Sequence, residues 1–212
     1  MYRNFTKRAL DISFSLILLP FVLIVLVPVG IAIKLEDGGP IFYNAPRIGK
    51  NKKEFKMFKF RSMKVNAPDI RNADGTTYNA VNDSRVTKVG KFMRKTSIDE
   101  LPQLINVLVG DMSFVGPRPS PLGDKSMLPF LFYKKFDVQP GITGYNQAYF
   151  RNSATIDEII SNDAFYVENV SFIMDLKIIF ATAITVALRK NINRNDKVMQ
   201  EAMIGEAQKT LK

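Results

Sequence analysis

Residues 12–33 form an uncharged, almost wholly apolar run, and this constrains the chain more than any other feature. The run is long enough to cross a bilayer's hydrocarbon core as one helix, or to enter it and double back. Positive charge stands on both sides of it. Arg3, Lys7 and Arg8 precede it, and Arg47, Lys50, Lys52, Lys53, Lys56, Lys59, Arg61 and Lys64 follow it. By the positive-inside tendency both flanks belong in the cytoplasm, which one straight span cannot satisfy. A helix broken near its middle satisfies both, and Pro20 and Pro28 supply candidate breaks, because proline removes a backbone donor and clashes with the preceding turn. The sequence therefore predicts a re-entrant helix bent at Pro20 or Pro28, with a single span as the alternative. No small-residue cleavage site follows the run, so it reads as retained.

Composition narrows the chemistry. The chain has 212 residues, enough for an anchor and one cytosolic domain. With 30 basic against 20 acidic side chains it carries a formal charge of +10, which favours lipid headgroups, nucleotide phosphates or nucleic acid. It has neither histidine nor cysteine, so imidazole bases, disulfides and the usual zinc ligands are excluded. Catalysis must rest on carboxylates, Lys, Arg, hydroxyls or backbone groups. A bound metal would be hard and oxygen-liganded, with Mg²⁺ shared with phosphate the best fit.

Beyond the run, residues 41–63 read as a strand hairpin turning near Gly49-Lys50-Asn51, and 65–84 as a loop. Residues 85–95 read as a short basic helix. Then comes Asp99-Glu100-Leu101-Pro102, followed by Gly116-Pro117-Arg118-Pro119. Asp99 has the position of an N-cap for an apolar helix (Leu101, Leu104, Ile105, Leu108), with Pro102 in the first turn. Ser97 with Glu100 would fit a capping box but pushes Pro102 deeper into the helix. A carboxylate at a helix N-terminus stays ionised, ready to act as nucleophile or metal ligand; the plainer reading is a cap beside a solvated acid. The two prolines around Arg118 fix a non-helical corner that would pre-aim its guanidinium fork at a phosphate. Residues 122–133 are apolar and aromatic with Lys134 and Lys135 behind them, suited to a membrane interface or a core helix. Residues 172–188 form a second apolar helix too short in its uncharged part to span, and 191–212 a polar tail.

The central stretch resembles the signature of the monotopic phosphoglycosyl transferases, small bacterial sugar transferases. The resemblance runs from about Lys7 to Lys190 through eight further motifs in the family's order: Lys7-Arg8-Ala9-Leu10-Asp11, Gly39-Pro40-Ile41-Phe42, Arg47-Ile48-Gly49, Lys59-Phe60-Arg61-Ser62-Met63, Pro140-Gly141-Ile142-Thr143-Gly144, Arg151-Asn152, Asp163-Ala164-Phe165-Tyr166 and Asp175-Leu176-Lys177-Ile178. Two positions depart from the family: Leu23-Ile24 stand where it has a Ser-Pro pair, and Gln139 where many relatives have arginine.

The resemblance implies transfer of a sugar-1-phosphate from a UDP-sugar to polyprenyl (undecaprenyl) phosphate at the cytoplasmic face of the bacterial inner membrane. UMP leaves, and the phosphosugar rides on an aspartate. It implies Asp99 as nucleophile, Glu100 with Asp99 as Mg²⁺ ligands, and Lys59, Arg94, Arg118 and Arg151 as phosphate-binding residues. Asp175 is either a helix-start acid or a further substrate-site carboxylate. The expected fold is α+β: a re-entrant membrane helix over 1–36, a small cytosolic domain over 37–190 with a short hairpin and several helices, some at the membrane interface, and a tail over 191–212. Expected partners are the UDP-sugar, the polyprenyl phosphate and membrane lipid, not nucleic acid; a homodimer is compatible. The rival readings are a non-catalytic membrane-anchored adaptor and a membrane phosphohydrolase.

Overall fold

The computed structural model describes residues 2–70, 78, 80, 83–123, 129–150 and 153–188. After one π-turn, Tyr2–Thr6, helix α1 runs unbroken over Lys7–Asp37 with Pro20 and Pro28 inside it. The expected break is thus not an interruption of the helix. Each proline removes only one intrahelical donor, which a continuous helix can absorb as a local distortion. Gly38 ends it in the left-handed conformation, φ 70°, its N–H donating to the Lys34 carbonyl at 3.0 Å. At about 1.5 Å per residue the 31-residue helix has a contour of about 46 Å.

This is the one helix among the described residues long and apolar enough to cross a membrane, and only 17% of its most apolar window is buried. A core helix of a water-soluble domain would show the reverse. Phe14, Leu16, Ile17, Phe21, Leu23, Ile24, Val27 and Ile31 all face outward. Both ends of the helix are nonetheless fastened to the rest of the chain. At the foot, the Lys7 ammonium meets Asp175 at 2.5 Å and Arg8 donates to the Val107 and Leu108 carbonyls at 2.5 and 2.8 Å. Asp11 there accepts from the Ser113 hydroxyl and the Phe114 N–H, both at 3.1 Å. At the head, Arg61 grips both Asp37 oxygens at 2.5 and 2.6 Å, and Ile33 packs with Phe60 and Met93.

In chain order, α1 is followed by β1 (Ala45–Ile48), β2 (Glu54–Met57), α2 (Lys88–Thr96), α3 (Gln103–Val109), β3 (Ser113–Val115), β4 (Ser120–Pro121), α4 (Phe130–Tyr133), β5 (Gly141–Thr143), α5 (Tyr145–Tyr149), α6 (Ile156–Glu168) and α7 (Phe172–Ala187). Helix and sheet are mixed, as the sequence predicts. β1 and β2 form the expected hairpin, antiparallel with Ala45 opposite Met57, around the turn Lys50–Lys52. Residues 41–43, predicted as strand, contribute only a bridge between Phe42 and Phe60. β4 adds to the free edge of β1, and β3 pairs with β5 in parallel.

Helix starts follow local chemistry. Thr87 caps α2, Ser171 caps α7, and Thr155 with Glu158 closes a full capping box on α6. The Glu36 carboxylate, one residue from the end of α1, accepts from the Lys88 and Val89 N–H groups at 2.6 and 3.1 Å, so α1 also closes the open start of α2. Of the segment 122–133, read as an interface cluster or a core helix, Phe130–Tyr133 form the single turn of α4, and 124–128 lie outside the described residues. The predicted tail, 191–212, also lies outside them. A main core gathers Val115, Val138, Ala148, Tyr166 and Ile178, and a smaller one gathers Met57, Val107 and Met112 under the hairpin.

Candidate active site

Asp99 and Glu100 sit together on a 3₁₀ turn, Ile98–Glu100, between α2 and α3. The turn begins at Ser97, whose φ of 58° is left-handed and lets the chain reverse as α2 ends. Asp99 therefore does not cap α3 as predicted; no side chain caps that helix. The extra turn places Asp99 one step too early, and its carboxylate points elsewhere.

It points to Lys59. The segment leaving β2 runs beside the turn, and the Phe60 N–H donates to the Asp99 carbonyl at 3.0 Å. This places the Lys59 ammonium 2.8 Å from Asp99 Oδ2 and 3.3 Å from Glu100 Oε1. From the other side Arg118 Nη2 reaches Glu100 Oε1 at 2.8 Å. The Asp99 side chain is 4% exposed, whereas that of Arg118 is 51% exposed, so the cluster has a buried acid at its base and an accessible guanidinium at its rim. Burial alone would push the Glu100 carboxyl up, but the charges of Arg118 and Lys59 and their hydrogen bonds outweigh it and hold its pKa down to about 2.

Arg94, on the last turn of α2, donates to the Ser62 hydroxyl at 3.0 Å and lies within electrostatic reach of Asp99. Burial pulls its pKa below the usual arginine value, and the nearby Asp99 and Asp83 charges oppose that. Ser62 belongs to the Lys59-to-Met63 motif, so two motifs from different parts of the sequence close on the acidic pair.

The Gly116-Pro117-Arg118-Pro119 corner owes its place to a second glycine-rich corner. The Gly116 N–H donates to the Thr143 carbonyl at 2.9 Å and the Gly141 N–H to the Pro117 carbonyl at 3.0 Å. A Cβ on Gly116 would stand 2.4 Å from the Gln139 carbonyl oxygen, and one on Gly141 2.1 Å from the Gly116 nitrogen. Only glycines allow the two backbones this close. The corner carrying Arg118 is thereby braced against residues 139–144.

One positioning residue was not singled out in the sequence. Asn106 is completely buried in α3, accepting from the Phe58 N–H and donating to the Lys56 carbonyl, both at 2.8 Å. It ties the segment running from β2 to Lys59 to the helix that follows the acidic pair. The signal was present: a carboxamide inside the apolar helix Leu104 to Val109 requires a buried partner.

Of the remaining predicted site residues, Arg151 lies outside the described residues. Asp175 does not join the acidic pair. It is buried at the start of α7, where its oxygens accept from the Tyr2 hydroxyl at 2.6 Å, the Lys7 ammonium at 2.5 Å and the Tyr166 hydroxyl at 2.8 Å. Burial first, then the Asp175 charge and hydrogen bond, push both tyrosine pKa values well up, so both hydroxyls remain donors. Tyr166 also donates to the Val115 carbonyl at 3.1 Å. Through these contacts Asp175 ties the start of the chain to α6 and α7.

Comparison with known proteins places the chain. A profile described as bacterial sugar transferase matches residues 2–189. The chain belongs to the bacterial sugar transferase family. This family member is 41% identical over 193 residues to the galactosyl transferase CpsE of Streptococcus agalactiae, covering 86% of the chain and 42% of that protein. It is 39% identical over 184 residues to the UDP-glucose:undecaprenyl-phosphate glucose-1-phosphate transferase of Escherichia coli K12, covering 83% of the chain and 39% of that protein. The exopolysaccharide production protein PSS of Rhizobium leguminosarum is matched nearly end to end, at 37% identity over 199 residues, 86% of the chain and 96% of that protein. The chain thus spans less than half the length of the first two relatives and almost all of the third.

Proposed function

We propose that this sugar transferase moves a sugar-1-phosphate from a UDP-sugar to polyprenyl (undecaprenyl) phosphate, releasing UMP, as the first membrane step of glycan assembly. The observation that carries the reading is the convergence of Lys59 and Arg118 on the Asp99–Glu100 pair, Asp99 buried and Glu100 half-buried, a set suited to a diphosphate. Relatives named for UDP-glucose and UDP-N-acetylgalactosamine chemistry on undecaprenyl phosphate supply the substrate class.

In the proposed reaction an Asp99 carboxylate oxygen attacks the β-phosphorus of the UDP-sugar. The bond from that phosphorus to the bridging oxygen breaks, UMP leaves with the electron pair, and the sugar-1-phosphate remains as an acyl phosphate on Asp99. A polyprenyl phosphate oxygen then attacks the same phosphorus, forming the lipid diphosphate sugar and freeing Asp99. The Lys59 ammonium on Oδ2 fixes the rotation of the Asp99 carboxylate, so Oδ1 is the attacking atom. Arg118 and Arg94 face phosphate charge, and Arg151 is assigned the same task from the sequence motif. Burial of Asp99 shields the acyl phosphate from water.

The donor set fits a hard divalent ion. Among the described residues no group of three or more His, Cys, Asp or Glu side chains could hold a metal. The protein ligands proposed are Asp99 and Glu100, whose oxygens both approach one cationic atom, Lys59 Nζ. Mg²⁺ characteristically takes one or two carboxylates and completes its shell from water and substrate phosphate. When bound it supplies neutralisation of the diphosphate charge, with Glu100 as its main protein ligand.

The placement proposed is the cytoplasmic face of the bacterial inner membrane, with 1–36 as a re-entrant anchor, 37–190 as the catalytic domain and 191–212 as a tail. Two features support it: positive charge on both flanks of the apolar run, and the fastening of both ends of α1 to the same domain. A helix with both ends on one domain does not deliver them to opposite sides of a bilayer. The exposed apolar side chains of α7, among them Ile173, Phe180 and Ile184, suit the interface expected for some helices.

The test is intact-protein mass after incubation with a panel of UDP-sugars and Mg²⁺, without lipid, for the native chain and Asp99→Asn. A phosphosugar adduct on the native chain alone, with UMP released, is the expected result. UMP release with no adduct, undiminished in Asp99→Asn, would favour the phosphohydrolase. No UMP from any sugar, in protein that binds polyprenyl phosphate, would favour the adaptor.

A further inference from the structure

The foot of α1 carries a feature that the reaction does not use. Arg3, Lys7, Arg8, Asp11, Lys50 and Gln139 line a cavity of about 210 Å³. None of the groups around the acidic pair, Lys59, Glu100 or Arg118, belongs to its wall.

The wall is rich in uncompensated charge. Arg3 donates to the Asp137 carbonyl at 2.9 Å and Arg8 to the Val107 and Leu108 carbonyls. These partners satisfy hydrogen bonds without cancelling charge. Lys50 has no carboxylate partner among the described residues. Lys7 is paired with Asp175 behind the wall, and the single acid lining the cavity, Asp11, is itself held by Ser113 and Phe114. Four cations against Asp11 and Asp175 leave an excess of two positive charges around the cavity. Gln139 adds a neutral amide. The turn carrying Lys50 is set beside Gln139 by close packing: a Cβ on Gly49 would lie 3.5 Å from Pro140 and 3.1 Å from Phe55.

The cavity also has an apolar neighbour. Its α1 lining lies where the helix passes from charged to apolar residues, and Phe5, between Arg3 and Lys7, and Phe14, three residues past Asp11, are exposed at 72% and 51%. A ligand matched to both features has a phosphate ester at one end and hydrocarbon at the other. We propose that the Arg3–Lys7–Arg8–Lys50–Gln139 cavity binds the phosphate of an anionic membrane phospholipid, a site separate from the acidic pair that fixes the depth of α1's foot at the headgroup layer.

The experiment uses the full chain in detergent, titrated with phosphatidylglycerol and read by native mass spectrometry for retained lipid. Lys50→Gln is expected to weaken retention about fivefold, the effect of one Lys or Arg near a lipid phosphate, and Gln139→Arg to strengthen it by a similar factor. Lys91→Gln removes the same charge from an exposed position on α2 outside the wall and should leave retention unchanged. Neither Lys50 nor Gln139 makes a side-chain hydrogen bond that the fold needs, so the variants report on binding. Equal retention by the native chain and Lys50→Gln, or an equal loss in Lys91→Gln, would overturn the site. A parallel titration with inorganic phosphate separates the sources: phosphate should compete only weakly, and phosphate binding as tightly as the lipid would overturn the assignment to a membrane phospholipid.

Discussion

Asp175→Asn is the perturbation that best separates structure from chemistry in this protein. The substitution keeps the shape of the side chain and removes its charge. In the native structure that charge faces Lys7, whose side chain is 12% exposed, together with the hydroxyls of Tyr2 and Tyr166. Removing one partner of a buried ion pair strands the other, at a cost of roughly 3–5 kcal/mol. For a domain of this size each kcal/mol moves the melting temperature by about 2–4 °C, so a fall of about 6–20 °C is expected. Replacing both partners, as Lys7→Met with Asp175→Leu, should recover most of it, since an apolar pair of similar volume leaves no stranded charge. Thermal melts in detergent provide the stability readout, and the UDP-sugar dependence of adduct formation provides the functional one, taken well below the variant's melting temperature. Surviving folded protein should bind UDP-sugar with nearly native affinity. A melting temperature within about 2 °C of native together with collapsed adduct formation would refute it and return Asp175 to the substrate site.

Three further outcomes follow from particular contacts. Gly116→Ala places a Cβ 2.4 Å from a backbone oxygen that cannot swing away; the corner should shift at a cost of about 1–3 kcal/mol, and the diphosphate KM should rise as Arg118 moves, which initial-rate kinetics would show. Glu36→Ala removes the acceptor shared by the first N–H groups of α2 and should cost about 1 kcal/mol, visible as a lower melting temperature with an unchanged KM. Glu100 supplies the pH prediction. Its folded pKa, about 2, lies below its unfolded value, so its contribution is fully present above the unfolded pKa and is lost only as pH falls toward 2. Arg118→Gln removes the larger of the two lowering charges and should move the Glu100 titration upward; carboxyl-region NMR of the two proteins would show it, and an unmoved titration would assign the depression to Lys59 alone.

Much of this was legible in the sequence where the signal is local. The apolar run became α1, the basic segment before the acidic pair became α2, and residues 172–188 became α7, because periodicity, charge and caps act within a few residues. The acidic pair, Lys59 and Arg118 were singled out as one site and the fold brings them together. What was not legible depends on distant partners. Lys7, Arg8 and Asp11 read as a positive flank and a family opening, yet each is committed to a contact about 100 or more residues away. Asp99 looked like a cap because the left-handed turn at Ser97 carries no glycine to announce it. The mutual bracing of the two glycine corners is also hidden, since each motif announces a turn but not what it turns against.

The tie between Lys7 and Asp175 has a consequence for biogenesis. Its two halves are separated by nearly the whole chain, so this tie forms only once residue 175 has left the ribosome, after Arg8 and Asp11 can already reach residues 107–114. The head can close far sooner, once Arg61 follows Asp37. Until residues 107–114 emerge the helix is held at its head only, and the last foot contact, to Asp175, comes much later. Under the proposed membrane placement, a nascent chain stopped before residue 107 would carry α1 as an apolar helix fixed at its head alone, its foot not yet set against the domain.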